Sequence, residues 1–230
     1  MGKLVLFDID GTLLDSGGAG RRAMIMAFQN VFGTTGPIGD YFMAGKVDAQ
    51  IVIELMTAAG LPGAAIHGQM PAYFEFYIEE LQRIIGHYAV RALPGVVELL
   101  DRLAVHPDIV IGLLTGNIWR GALAKLKAAN LARYFDGLGA FGDDAYSRPE
   151  LPAIAVQRAQ ATRGQVFQGK NVVIIGDTPA DIECGRSLGV KSIAVATGPY
   201  TCDEMRPYNP DKCFADLSDT QSVIAGILAD

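Results

Sequence analysis

The sequence lacks any Lys/Arg-rich run, and its 19 Lys+Arg residues are outnumbered by 25 Asp+Glu, for a formal net charge of -6. A nucleic-acid partner is therefore not expected, because such binders carry a basic patch. No stretch approaches the ~20 apolar residues that span a bilayer, so no membrane partner is expected either. The opening MGKLVLFDIDGTLLD breaks its short apolar run at Asp8 and Asp10, unlike a secretion signal. Leu6 stands where N-myristoylation needs Ser or Thr. Cysteine is scarce and odd in number: Cys184, Cys202 and Cys213, with no CxxC spacing. That predicts unpaired thiols and a reducing, cytoplasmic setting. The three histidines, His67, His87 and His106, are scattered and show no metal-ligand spacing.

What is present is a large apolar fraction, 50% of 230 residues, enough for a substantial core in one large or two modest domains. Short apolar runs of strand length recur at Lys3–Ile9, Ile109–Leu114, Leu138–Phe141, Asn171–Ile175 and Ser192–Val195. Amphipathic stretches at Ile118–Asn130, Glu150–Arg163 and Asp181–Leu188 alternate with the later ones, which predicts parallel strands joined by crossover helices. Between about Gly18 and Tyr88 the rhythm changes. Arg21–Phe32, Asp48–Ala59 and Ile66–Ile85 read as helices, separated by the punctuation GTTGPIGD and GLPG. The expected fold is α/β: a Rossmann-like parallel sheet core with helices on both faces, plus an inserted all-helical cap. The expected division is a core of residues 1–16 and 89–230 and a cap of residues 17–88.

Four strand exits carry polar residues. Phe7-Asp8-Ile9-Asp10-Gly11-Thr12 sets two carboxylates two positions apart, which on an extended chain share a face. Such a pair is costly unless a cation or a reaction requires it. Gly176-Asp177-Thr178-Pro179-Ala180-Asp181 brings further carboxylates at a helix start. Thr115-Gly116-Asn117 offers a hydroxyl and backbone N–H groups entering a helix, the geometry of an anion site. Arg148, just before Pro149, presents a guanidinium able to fork two phosphate oxygens. Taken singly, Asp177 and Thr115 also read as helix caps and Arg148 as a solvated loop residue. Taken together, parallel strand ends converge on one rim, and hard oxygen ligands there suit Mg²⁺.

With these motifs in place, the chain resembles the haloacid dehalogenase-like hydrolases, in the phosphatase branch with a helical cap, over Lys3 to about Val195. The resemblance implies Asp8 as nucleophile and Asp10 as general acid/base, with Asp8, Asp177 and the Asp10 carbonyl holding Mg²⁺. It also implies that Thr115 and Arg148 bind the transferring phosphoryl group alongside Gly116 and Asn117, and that Asp181 is a ligand or lies just behind the ligands. Arg148 departs from the usual Lys of that motif, and Lys125 or Lys170 is a conceivable substitute. Asp10 itself argues for an oxygen leaving group, since the dehalogenase branch lacks it. Arg21, Arg22, Lys46 and Asp48 are the cap's candidates for substrate contact, and GKVD is similar to the cap loop of phosphoglycolate phosphatase-like members. Tyr73, Phe74, Phe76 and Tyr77 read as packing between cap helices. The implied activity is hydrolysis of a small phosphorylated metabolite by a monomer or homodimer. A phosphomutase of the same architecture or a non-catalytic phosphometabolite-binding protein are the other readings.

Overall fold

The computed structural model describes residues 2–229. Its centre is β1 (Lys3–Phe7), whose five residues are all buried. β1 pairs in parallel with β4 (Ile109–Leu114) on one side and β6 (Val172–Gly176) on the other. β5 (Gly139–Ala140), β7 (Lys191–Val195) and β8 (Lys212–Phe214) extend a six-stranded sheet of order β5-β4-β1-β6-β7-β8. Alternate residues of β1 enter different cores, as the pleat requires. Val5 and Phe7 pack with α4 (Val96–Ala104), α5 (Trp119–Ala128) and α9 (Thr220–Leu228). Leu4 and Leu6 pack with α6 (Leu151–Arg163) and with Cys184 of α7 (Pro179–Cys184). The sheet is thus covered on both faces, which explains why its strands read as near-continuous apolar runs.

Register decides where the polar residues emerge. Phe7 sits opposite both Leu113 and Ile175. Asp8 comes one residue later and Thr115 and Asp177 two, so all three leave the sheet together at its carboxyl edge. β1 lies between strands reached by connections in opposite directions, the position where ligands collect in open α/β sheets.

The helical stretch is α1 (Ala19–Phe32), α2 (Asp48–Ala58) and α3 (Gly63–Ile84). These have an apolar core of their own, with Phe28, Leu55, Met56, Tyr73 and Tyr77 fully buried. The rings of Phe28 and Tyr73 lie 4.6 Å apart, and Phe74 and Phe76 pack against the same cluster, so the aromatic run is packing as expected. A short antiparallel pair, β2 (Leu14–Asp15) with β3 (Arg91–Ala92), joins the chain where it departs toward α1 and where it returns from α3.

Several elements differ from expectation. β1 stops at Phe7 instead of Ile9, because Asp8 to Gly11 turn away from the sheet. α7 ends at Cys184, and Arg186–Leu188 forms a separate 3-10 turn. α4, α9, the β2–β3 pair and β8 carried no pattern strong enough to be expected, and the expected run Leu138–Phe141 is shortened to β5. The cysteine reading needs correction: Cys202 and Cys213 form a disulfide with Cα atoms 5.9 Å apart, and only Cys184 is free. The cause is β8 returning alongside β7, with α8 (Cys202–Met205) packed on the pair. The argument from cysteine count to a reducing compartment thereby loses its premise. No helix among the described residues is long and apolar enough to cross a membrane.

Phe7, fully buried at the centre of the sheet, sets a stability expectation. Phe7→Ala should lower the unfolding free energy by about 3–5 kcal/mol in urea titrations. Val105→Ala, at a side chain 82% exposed, should change it by less than about 0.5 kcal/mol. Equal losses would show that the core is not centred on β1.

Candidate active site

The turn after β1 is shaped by Gly11, whose φ of +82° is disfavoured for any side chain. A Cβ at Gly11 would also lie 2.4 Å from Asp177 Oδ2. Across that contact Thr12 Oγ1 donates to Asp177 Oδ1 at 2.9 Å, fixing the Asp177 carboxylate against the first loop. Asp8 N donates to Ile175 O at 3.0 Å, which ties the two loops at the backbone.

Asp8, Asp177 and Asp181 gather here, all buried, with ligand oxygens within 4.8 Å of one another. Among the described residues their one close cation is Arg148, whose Nη2 lies 3.2 Å from Asp8 Oδ1 and bonds Asp181 Oδ1 and the Leu114 carbonyl. Asp181 is otherwise committed: its Oδ2 accepts from Thr178 N at 3.0 Å and Thr178 Oγ1 at 2.6 Å, a capping box at the start of α7. Burial pushes the Asp8 carboxyl up to about 6 against the pull of Arg148, with Asp181 and Asp10 adding to the rise. Burial, then Asp8 and Asp181, also hold Asp177 well above the usual carboxylate range despite Thr12 and Arg148. One guanidinium does not balance three carboxylates. Buried hard oxygens short of positive charge are the donor set of a divalent cation, so the residues fit one.

Asp10 belongs to a different network. Its Oδ2 accepts from Lys125 Nζ at 2.6 Å and Asn117 Nδ2 at 2.9 Å, and its Oδ1 accepts from Ser16 Oγ at 3.0 Å. Burial raises the Asp10 carboxyl, but the charge and hydrogen bond of Lys125, with Asn117 and Ser16, outweigh it and leave the pKa lowered. Asn117 Nδ2 also donates to Thr115 Oγ1 at 2.9 Å, so the Thr115 hydroxyl and Asp10 share a bridge. The expectation that Asp8 and Asp10 share a face therefore needs correction. The strand has ended at Phe7, and the two carboxylates turn to different partners.

A cavity of about 440 Å³ lies between these loops and the helical segment. Asp8, Asp10, Thr115, Gly116, Asn117, Arg148 and Asp177 line its floor. Of the cap candidates, Arg21, Lys46 and Asp48 line it, whereas Arg22 is exposed and is not among the lining residues. Arg21 donates to the backbone carbonyls of Ile38, Gly39 and Tyr41, shaping that loop. Lys46 is paired with Glu54 at 2.6 Å and with Tyr41 Oη at 2.9 Å. Gly45 to Asp48 press on the core. Asp48 N donates to Gly116 O at 2.8 Å, and Asp48 Oδ2 accepts from Ile118 N at 2.9 Å. A Cβ at Gly116 would lie 2.0 Å from Lys46 O.

Neither lysine stands in for Arg148. Lys170 pairs with Asp211, and Lys125 occupies the Asp10 side of the cavity. The sequence does hold a signal for Lys125. It falls on the buried face of α5 with Gly121, Ala122 and Leu126, where an ordinary helix has an apolar residue. Ser16 and Tyr77, also lining the cavity, carry no such mark.

A family model described as haloacid dehalogenase-like hydrolase matches residues 5–195. Among curated proteins, the chain is 27% identical to the probable phosphatase IndB of Dickeya dadantii, covering 98% of this chain and 93% of that one. It is 26% identical to a phosphoglycolate phosphatase of Agrobacterium fabrum, covering 95% and 90%. Among solved structures, a hydrolase from Pseudomonas syringae superposes with a TM-score of 0.74 at 21% identity over 100% of both chains, a likeness of fold.

The buried Asp48 sets a pH expectation. Burial raises its carboxyl from 3.8 to about 7, against Lys125 and the Ile118 N–H. The folded chain then binds this proton more tightly than the unfolded chain, so Asp48 makes stability fall as pH rises from 3.8 to about 7. Asp48→Asn keeps an acceptor for Ile118 but cannot ionise. Its stability relative to wild type should rise across that window, read from urea midpoints with chelator present. A pH-independent difference would mean that Asp48 titrates as an ordinary carboxylate.

Proposed function

Because the chain belongs to the haloacid dehalogenase-like hydrolase family, we propose that it is a phosphoric monoester hydrolase that uses Mg²⁺ and forms an aspartyl-phosphate on Asp8. The observation that carries this reading is the separation of Asp8 and Asp10 into opposite environments on one cavity floor. Asp8 sits with Asp177, Asp181 and Arg148 at the cluster that fits a cation, and Asp10 is held by Lys125, Asn117 and Ser16.

Asp8 and Asp177, with the Asp10 carbonyl and with Asp181 beside them, are the residues that would hold the ion. Bound there, it supplies the positive charge that keeps Asp8 ionised and offsets the charge of the phosphate. Asp8 attacks phosphorus, the P–O bond to the leaving group breaks, and Asp10 gives its proton to the departing oxygen. An arriving phosphate dianion favours the protonated form of Asp10, which the free site disfavours. In the second step Asp10, now ionised, takes a proton from water. The water oxygen bonds to phosphorus, and Asp8 departs as carboxylate with release of inorganic phosphate. Arg148 and the Thr115 hydroxyl stabilise the equatorial oxygens. Residues 17–88 form the cap, which excludes bulk water.

At about 440 Å³ the cavity lies toward the small end of ligand pockets, which run from roughly 300 to 1,000 Å³. A short phosphate ester such as phosphoglycolate fits that size, in line with the name of the Agrobacterium fabrum relative.

Asp8→Asn should lower kcat by more than about 10⁴-fold on any phosphate ester, with the thermal midpoint held or raised. Turnover near the wild-type rate would remove Asp8 as nucleophile. EDTA should abolish activity, and added Mg²⁺ should restore it. Full activity in chelator would exclude the metal.

A further inference from the structure

Lys125 belongs to none of the four strand-end motifs, yet it is the residue most firmly attached to Asp10. Its side chain is 6% exposed, whereas that of Asp10, facing the cavity, is 38% exposed. The ammonium reaches Asp10 Oδ2 and Asn117 Oδ1, each at 2.6 Å. Asn117 Nδ2 closes the triangle onto the same Asp10 oxygen at 2.9 Å. Asp10 Oδ2 is thereby held from behind by two donors, and Oδ1 is left with the Ser16 hydroxyl at 3.0 Å. The surrounding backbone makes room for this arrangement. A Cβ at Gly20, in the first turn of α1, would lie 3.1 Å from Lys125 Nζ. Burying an ammonium on the apolar face of α5 costs desolvation that Leu or Met would avoid.

We propose that Lys125 is a positioning residue for the acid step: with Asn117 it fixes the Asp10 carboxylate so that Oδ1 faces the leaving-group oxygen. This rests on the phosphatase reading of the site. A general acid must lie within hydrogen-bond reach of the oxygen it protonates. A misplacement of about 1 Å costs on the order of 10²-fold. Lys125 bonds Asp10 directly and reaches Thr115, a contact of the phosphoryl group, only through Asn117, so its removal acts first on leaving-group departure.

The test compares an alkyl phosphate with nitrophenyl phosphate, whose leaving group departs without a proton. In Lys125→Met, kcat on the alkyl ester should fall about 10²-fold, with less than about a tenfold loss on the nitrophenyl ester and KM changed by less than about threefold. Gly20→Ala, which crowds Nζ from the other side without removing its charge, should give the same pattern at smaller size. In an Asp10→Asn background, Lys125→Met should add little further loss, because the two act as a unit. Equal losses on both esters would overturn the proposal, as would a raised KM at unchanged kcat. Either result leaves the phosphatase reading standing if wild type turns over both esters. Failure of wild type on both would remove that reading itself.

Discussion

Three buried carboxylates within 4.8 Å of one another, with one guanidinium among them, are the constraint on which the rest of the structure depends. Uncompensated charge in a protein interior costs several kcal/mol per ion, roughly, after relaxation. The sheet makes the crowding unavoidable, because β1 and β6 are adjacent and in parallel register, so Asp8 and Asp177 leave neighbouring strand ends within one residue of the same level. The raised pKa values of Asp8 and Asp177 express that cost. It is met in part locally: Thr12 binds Asp177, Thr178 caps with Asp181, and Arg148 spans Asp8 and Asp181. What remains is an excess of negative charge, open to a cavity of about 440 Å³.

The helical segment meets the core through apolar packing and a polar seam. Ile118, Ala124 and Ala128 join the apolar cluster of the helical segment and Val47 joins one of the sheet's, while Asp48 N donates to Gly116 O and the Asp48 carboxylate accepts from Ile118 N. Gly116 has to be glycine, because the Lys46 carbonyl occupies the space of a Cβ. The seam therefore tethers the loop that carries Thr115 and Asn117 directly to the segment that roofs the cavity. Lys46 takes part through its backbone, while its ammonium is occupied by Glu54 and Tyr41. The charge in the GKVD stretch that matters structurally is thus Asp48.

How much was legible in the sequence depended on range. Ile109–Leu114 is a strand with the expected ends, and the helices of the 18–88 region start and stop within a few residues of expectation. These elements carry their own periodicity and punctuation. β8 and the β2–β3 pair are two or three residues long and exist because a neighbour offers a ladder, whereas β5 is the centre of the expected run Leu138–Phe141. The Cys202–Cys213 bridge was hidden for the same reason, since it depends on β8 lying beside β7. Within the site, the DIDGT and GDTPAD strings announced Asp8, Asp177 and Asp181, because their placement follows from strand register. Arg22 drew notice as one of a pair of arginines, but helical rotation leaves it exposed while Arg21 lines the cavity.

The divergence of Asp8 and Asp10 shows why spacing alone misled at the most informative motif. Two positions apart on an extended chain means one face, but the extended chain ends at Phe7. The bridge of Asp10 to Leu14 and the bond from Gly11 N to Leu14 O fold the loop back on itself. Asp10 then points toward α5, and Asp8 stays at the strand end with β6. The turn does what no extended segment could: it puts two acids of one pentapeptide into surroundings of opposite charge balance. The separation needs partners from elsewhere in the chain, Arg148 for one acid and Lys125 for the other. Each cation is buried, and each is placed by its own helical turn, Lys125 on α5 and Arg148 in the 3-10 turn that leads into α6. The chemistry of the first loop is therefore set by residues more than a hundred positions away, and the sheet is the frame that brings them within hydrogen-bond reach.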